Sequence, residues 1–194
     1  MARPRSDIAP RIVQAARRRF LEHGVDGASL RRIASDAGTS IGMVYYYFPT
    51  KDDLFFAVVE ETYSRLVADL AKALAPGASF EERLHRMYAR LALMSEDEVT
   101  AVRIVVRELL LSSKRMDRII ERVARGHLPL VLAAVADGLA SGQVSDRHDP
   151  IVITIATMAL GLAPQVGRRV IGLRAPTGFA PPSGEELARQ LAAV

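Results

Sequence analysis

AGTSIGMVYYYFPTKDDL, residues 37–54, is the stretch on which the reading of this chain turns. A glycine turn, a short helix, three adjacent tyrosines and a lysine at a helix start follow one another in it. Adjacent positions on a helix point about 100° apart, so Tyr45, Tyr46 and Tyr47 cannot all face one core. Some of their hydroxyls must meet water or a polar partner.

Working outward, apolar residues recur at three- and four-residue steps and mark helices on either side. Ile8, Ile12, Ala16 and Phe20 give a first helix over about Asp7 to Glu22, stopped at His23-Gly24. Ser29 caps a second, with Leu30, Ile33, Ala34 and Ala37 facing inward and Gly38 ending it. A third runs from Thr39 or Ser40 to about Tyr47, with Val44 and Phe48 as core candidates. Two short helices joined through Asp36-Ala37-Gly38-Thr39-Ser40 have the form of a helix-turn-helix, the glycine permitting the sharp turn. In that motif the N-terminal end of the second helix enters the major groove. Ser40, Ile41, Gly42 and Met43 would then lie nearest the base edges. Serine bonds several bases, Ile41 and Met43 suit thymine methyls, and Gly42 allows close backbone approach. No Arg or Asn stands there for a bidentate base contact, which implies modest direct readout with a share for DNA shape.

Groups suited to phosphate surround this tip. Lys51 lies in the first turn of a fourth helix, where the helix dipole also favours an anion. Ser29 and the free N–H groups behind it form a second such position. Two of the tyrosine hydroxyls can reach phosphates while the third ring packs inward. The charge distribution agrees: residues 1–51 hold nine basic and four acidic groups, a net +5, and the remainder is −1. The excess positive charge of the first quarter is what a polyanion-binding segment requires.

Beyond Thr50-Lys51-Asp52-Asp53, a capping box with a short acid, the apolar spacing from Leu54 to Leu74 predicts a long amphipathic helix broken at Pro76-Gly77. Capping boxes at Ser79-x-x-Glu82, Ser95-x-x-Glu98 and Ser183-x-x-Glu186, and Asp149-Pro150, open further helices. These fall at roughly 80–94, 97–112, 115–140 and 150–172, with a loop over 174–182 and a short last helix. The chain therefore reads as all-α with about nine helices: a three-helix head, residues 1–51, on a larger helical domain, residues 52–194.

Several functions are excluded or disfavoured. There is no cysteine, and His23, His85, His127 and His148 show no ligand spacing, so no metal or cofactor site is expected. No nucleophile–base pair or phosphate loop supports an enzyme, and no catalytic residue is assigned. MARPRSD has no apolar run behind it to make a secretory signal. Ile151 to Val166 is sixteen uncharged residues interrupted by Gly161 and Pro164, short of the ~20 needed to span a membrane. A buried helix in a soluble, cytoplasmic protein without membrane attachment is the expectation.

Phe20-x-x-His23-Gly24, then Ser29-Leu30-x-x-Ile33-Ala34-x-x-Ala37-Gly38-Thr39-Ser40-x-Gly42-x-Val44-Tyr45-x-Tyr47-Phe48-x-x-Lys51-x-x-Leu54, closely resembles the DNA-binding domain of TetR-family transcriptional regulators. The likeness covers about residues 7–56. It implies an all-α homodimer that binds a palindromic operator in double-stranded DNA, usually represses, and is released by a small molecule held in the C-terminal domain. Carried over by position, Ser40 to Met43 face bases, and Ser29, Thr39, Tyr45, Tyr46, Tyr47 and Lys51 contact phosphates. Val25 and Met43 depart from the commonest pattern, so an operator sequence cannot be copied from a relative.

The resemblance also implies a dimer interface from the last two long helices, for which Ile151, Ile155, Met158, Leu162 and Val166 are the candidates, with Ala159 and Gly161 allowing close approach. It places an effector among the helices between 80 and 140, where Met87, Tyr88, Leu91, Met94, Ile104, Arg107 and His127 are candidate walls. Met and Tyr suit an apolar or aromatic effector, whose identity the sequence does not give. The alternative is a helical small-molecule sensor without operator binding, which the positive head disfavours.

Overall fold

The computed structural model describes residues 7–111, 114–172 and 182–192. Among these every regular element is a helix: α1 (Ile8–Gly27), α2 (Leu30–Asp36), α3 (Ile41–Tyr47), α4 (Lys51–Ala73), α5 (Phe80–Ala92), α6 (Glu96–Leu110), α7 (Met116–Arg125), α8 (His127–Ala140), α9 (Pro150–Gly172) and α10 (Gly184–Ala192).

The all-α expectation holds, with one helix more than anticipated because the stretch over 115–140 divides at Gly126. Pro129 explains the break. In a continuous helix it would leave the Arg125 carbonyl unbonded and its ring would press on it. In the first turn of α8 its missing N–H has no intrahelical role. Gly24, at φ 72°, interrupts α1 at the expected stop, but helical turns resume to Gly27. A side chain at Gly24 would also meet the Arg107 guanidinium at 3.0 Å. The loop expected over 174–182 lies outside the described residues except for Pro182.

The chain forms two compact units, Met1–Arg65 with Glu96–Ile120, and Leu66–Ser95 with Glu121–Val194. This is not the single division after Lys51 that the sequence suggests, because α6 returns to the head: Ile104, and Ile119 of α7, are buried in one cluster with Ile12, Phe20, Ile33, Val44, Leu54 and Phe55. Burying each such side chain contributes about 1.5–3 kcal/mol. Two buried arginines join the same elements by charge. Arg17 of α1 bonds Glu61 of α4 and pairs with Asp97 of α6 at 2.5 Å. Arg115, 1% exposed, donates to Glu108 at the end of α6 (2.8 Å), to Asp26 at the end of α1 (2.6 Å) and to Asp52 at the start of α4 (2.7 Å).

In the second unit α5 packs on α8, α9 and α10. Ser79 caps α5 by accepting from Glu82 N, and Asp149 caps α9 by accepting from Ile151 N (2.7 Å). Buried Arg83 donates to the Leu74 carbonyl (2.8 Å) and to Asp137 of α8 (2.9 Å). α9 runs through Pro164 without ending. Over Pro150–Arg169 it is long and apolar enough by composition to cross a membrane, yet its polarity is reversed from that of a surface helix. Ile151, Val152, Ile155, Ala156, Ala159, Leu160 and Ala163 are exposed, whereas Thr154, Thr157, Gly161 and Gln165 are buried.

Candidate functional site

The helix-turn-helix is built from local hydrogen bonds. Ser29 accepts from Arg32 N (3.4 Å) and opens α2; Ser40 accepts from Met43 N (3.3 Å) and opens α3. Between them Gly38 takes φ 61°, and Thr39 N returns to the Ala34 carbonyl at 3.0 Å, closing α2 with a left-handed cap. Arg11 of α1 reaches the Ala37 and Gly38 carbonyls at this turn, and a side chain on Gly38 would stand 2.8 Å from the Arg11 guanidinium. Arg19 holds Asp36 through two bonds, 2.6 and 3.1 Å. Those bonds keep the Asp36 carboxyl below its ordinary range and raise Arg19. Part of the positive excess counted in the sequence is thus used within the head, by Arg11, Arg17 and Arg19.

The α3 tip presents Ser40 and Gly42 exposed, with Ile41 and Met43 half-buried. The three tyrosines separate as their helical spacing requires. Tyr45 and Tyr46 are exposed at 52% and 75%, while Tyr47 packs on the head's core, edge-to-face with Tyr46 at 5.1 Å and tilted against Phe48. Thr39 is half-buried and Ser29 exposed. Thr50 and Asp53 form the reciprocal capping box: Asp53 N donates to Thr50 Oγ1 (3.0 Å) and Thr50 N to Asp53 Oδ2 (3.2 Å). Lys51, in the turn so opened, donates one Nζ hydrogen to the Asp26 carbonyl (2.9 Å), leaving two for an anion. All ten residues with a proposed nucleic-acid role therefore lie in one unit and within one run of chain, 29–51.

Residues 12–58 match the family of bacterial regulatory proteins named tetR. The N-terminal head belongs to the TetR family. That family is one of transcriptional regulators, not of enzymes. The transcriptional repressor AcnR of Corynebacterium diphtheriae is 38% identical over 61 residues, about a third of either chain. Likeness to the fatty acid metabolism regulator protein of Bacillus subtilis extends further, 23% over 139 residues and 71% of each chain. The whole fold recurs in solved regulators: FadR from Bacillus subtilis in complex with stearoyl-CoA (TM-score 0.73, 16% identity, 95% of each chain) and FadR from Bacillus halodurans (TM-score 0.75, 19% identity, 95% of each).

Of the residues named for an effector, Met87, Tyr88, Leu91 and Met94 are buried in the second unit. Tyr88 OH donates to the Thr157 carbonyl of α9 (3.2 Å), and burial pushes its pKa up to about 12. His127 opens α8 in the same unit, half-buried, with its pKa lowered by that burial. Ile104 and Arg107 are elsewhere: both belong to the first unit, Ile104 inside the head's core and Arg107 exposed against Gly24. On α9, Ile151 and Ile155 are exposed on the apolar stripe, whereas Met158, Leu162 and Val166 are half-buried.

Two features escaped the sequence reading. Arg31 and Arg32, exposed on α2 beside the Ser29 cap, were counted only as charge, although their place in the first turn of the first helix of the helix-turn-helix is plain from the sequence. Arg115 carries no local signal at all. It lies 89 residues from Asp26, and only the folded chain brings them together.

Proposed function

We propose that this chain is a dimeric TetR-type repressor that binds a palindromic operator in double-stranded DNA and is released by a small-molecule effector. The observation that carries the reading is the head itself. It has an α3 tip of Ser40, Ile41, Gly42 and Met43 flanked by two exposed tyrosines, Lys51 at a helix start, and the cap of Ser29, all within a family match. Ser40 to Met43 read bases; Ser29, Thr39, Tyr45, Tyr46 and Lys51 hold phosphates, joined by Arg31 and Arg32. Tyr47 contributes its hydroxyl edge while its ring anchors α3.

The dimer forms through the exposed face of α9. Ile151, Val152, Ile155 and Leu160 make a contiguous apolar stripe of a kind monomeric proteins rarely expose. Ala156, Ala159 and Ala163 in the same stripe let a partner helix approach closely. Of the candidate residues Ile151, Ile155, Met158, Leu162 and Val166, the interface thus centres on the first two. The effector is apolar in the main and sits by Met87, Tyr88, Leu91 and Met94. A fatty acyl-CoA is the class to try first, since one relative is a fatty acid metabolism regulator and a fold neighbour holds stearoyl-CoA. Its binding favours a dimer whose recognition helices no longer match successive major grooves about 34–36 Å apart. Such a regulator acts in the cytoplasm, where the DNA is.

Fluorescence-anisotropy titration on the DNA upstream of its own coding sequence tests this. Sequence-preferring binding that weakens steeply with salt, and is relieved by acyl-CoA, is expected. Absence of salt-dependent preference refutes operator binding and leaves the sensor reading.

A further inference from the structure

Gln165 of α9 is fully buried, at 0% exposure, and neither Oε1 nor Nε2 has a hydrogen-bond partner among the described residues. An amide so placed forfeits its bonds to water and gains none in return, an arrangement folded chains keep rarely and for a reason. Among the other buried polar groups of the second unit, the Nε of Arg168 also lacks a hydrogen bond among the described residues, whereas two side chains are bonded. Arg83 bonds Leu74 O and Asp137, and Thr154 Oγ1 donates to the Pro150 carbonyl (2.8 Å).

The helical register says where Gln165 sits. Gly161, one turn before it, lies so close to α5 that an added side-chain carbon would stand 2.9 Å from both Leu91 and the Tyr88 ring. Arg169, one turn after it, donates to the Ala92 and Met94 carbonyls at the end of α5. Residues four apart share a helix face, so Gln165 falls on the α5 side of α9, between these two contacts. The α5 side chains that meet this face at Gly161, Tyr88 and Leu91, present apolar surfaces, and Tyr88 OH already serves the Thr157 carbonyl. The Gln165 amide is the unengaged donor–acceptor pair of this face.

We propose that Gln165 is the specificity residue of the effector site, and that it recognises a neutral amide, a carbonyl beside an N–H, on an otherwise apolar molecule. This rests on the reading that the second unit holds the effector. Nε2 donates to the ligand's carbonyl and Oε1 accepts from its N–H, so both orphaned atoms are met at once. A carboxylate would satisfy only the donor, and an alkyl chain neither. A free fatty amide has the required group, and so does the pantetheine arm of an acyl-CoA.

The test uses the full chain, Gln165→Met, and three probes of equal chain length: decanamide, decanoate and decanoyl-CoA. In the ligand-free protein the substitution removes an unmet amide and keeps its volume, so the melting temperature should rise by a few degrees. Calorimetric titration should show wild type preferring decanamide over decanoate. Gln165→Met should weaken decanamide about ten- to hundredfold while changing decanoate little. Equal loss for decanoyl-CoA identifies the pantetheine amide as the source; unchanged decanoyl-CoA binding beside lost decanamide identifies the free amide. A fall in melting temperature shows an amide already satisfied within the fold and overturns the proposal. So does a wild type that binds none of the three probes, or that binds amide and acid alike. Operator titration of the same samples stands apart from these outcomes: if wild type binds DNA and Gln165 proves silent, the ligand assignment fails and the repressor reading does not.

Discussion

Arg115→Met is the substitution whose effect can be worked out furthest. Arg115 is 1% exposed and bonds three carboxylates, of which Glu108 is the most deeply buried, at 3%. Burial alone would lower the guanidinium's pKa, but its hydrogen bonds to Asp26, Glu108 and Asp52 outweigh that and raise it. Methionine fills most of the volume and leaves Glu108 charged, buried and unpaired. Breaking a buried pair in this way costs about 3–5 kcal/mol. For a chain of this size each kcal/mol moves the melting temperature by about 2–4 °C, so a fall of roughly 10 °C is expected. Asp26, largely exposed, adds little to that figure but gives it a pH signature. Its hydrogen bond from Arg115 holds its pKa below the ordinary 3.8. The stability it contributes is therefore complete above that value and lost as pH falls through its folded pKa. The gap between wild type and Arg115→Met should narrow in that acid window. Urea melts at neutral pH and at pH about 3 measure both effects. Replacing both partners, Glu108→Leu with Arg115→Met, should recover most of the loss, because an apolar pair of like volume is near neutral where a broken one is not. A single mutant within about 1 kcal/mol of wild type, or a double mutant worse than the single, would refute the buried network.

Gly38→Ala forces a side chain into a φ of 61° and against Arg11, and should destabilise the head by about 1–2 kcal/mol, read by thermal melt. Lys51→Ala should weaken all DNA sequences alike and flatten the salt slope by about one, whereas Met43→Ala should alter the preferred site; binding-site selection distinguishes them. Tyr46→Phe should lower DNA affinity without moving the melting temperature, since Tyr46 is 75% exposed. Ile155→Glu puts a charge on the exposed apolar stripe of α9 and should give a folded monomer by light scattering.

The head was legible because its signals are local. A capping serine, a glycine that must take positive φ, and an apolar step of four each act within a few residues, and Ser29, Gly38, Ser40 and Val44 all sit as their types dictate. The tyrosines followed from geometry as simple as the angle between successive helical residues. What was not legible depends on distant chain. Ile104 reads as any apolar residue of an amphipathic helix, and nothing near it tells that α6 packs into a core formed by residues 12–59 rather than around a ligand. Arg107 reads as a pocket wall, yet it lies exposed against Gly24, and Arg115, which carries no local signal, is buried under three carboxylates. α9 misled for a different reason: its composition is apolar almost throughout, so periodicity could not say which side faced in. Met158, Leu162 and Val166 were grouped with Ile151 and Ile155 by composition, although the exposed face passes through Val152, Ala159 and Leu160 instead.

The reversal of α9 ties the two proposed roles of the second unit to one helix. Exposed Ile151, Ile155, Ala159 and Ala163 alternate along it with buried Thr154, Thr157, Gly161 and Gln165, each pair less than a turn apart. A helix is stiff about its own axis, so a ligand that draws Gln165 toward α5 by hydrogen bonds turns the opposite stripe with it. Gly161 leaves little slack for a local adjustment, since a side-chain carbon there would stand 2.9 Å from the Tyr88 ring and from Leu91. A dimer formed through the stripe would then differ between the ligand-bound and ligand-free states, and by linkage its geometry would in turn alter ligand affinity. Ile155→Glu supplies the check: a monomeric chain relieved of that coupling should bind the amide probe with altered affinity, although residue 155 lies on the face turned away from Gln165. Unchanged affinity in a proven monomer would show that the two faces of α9 act independently.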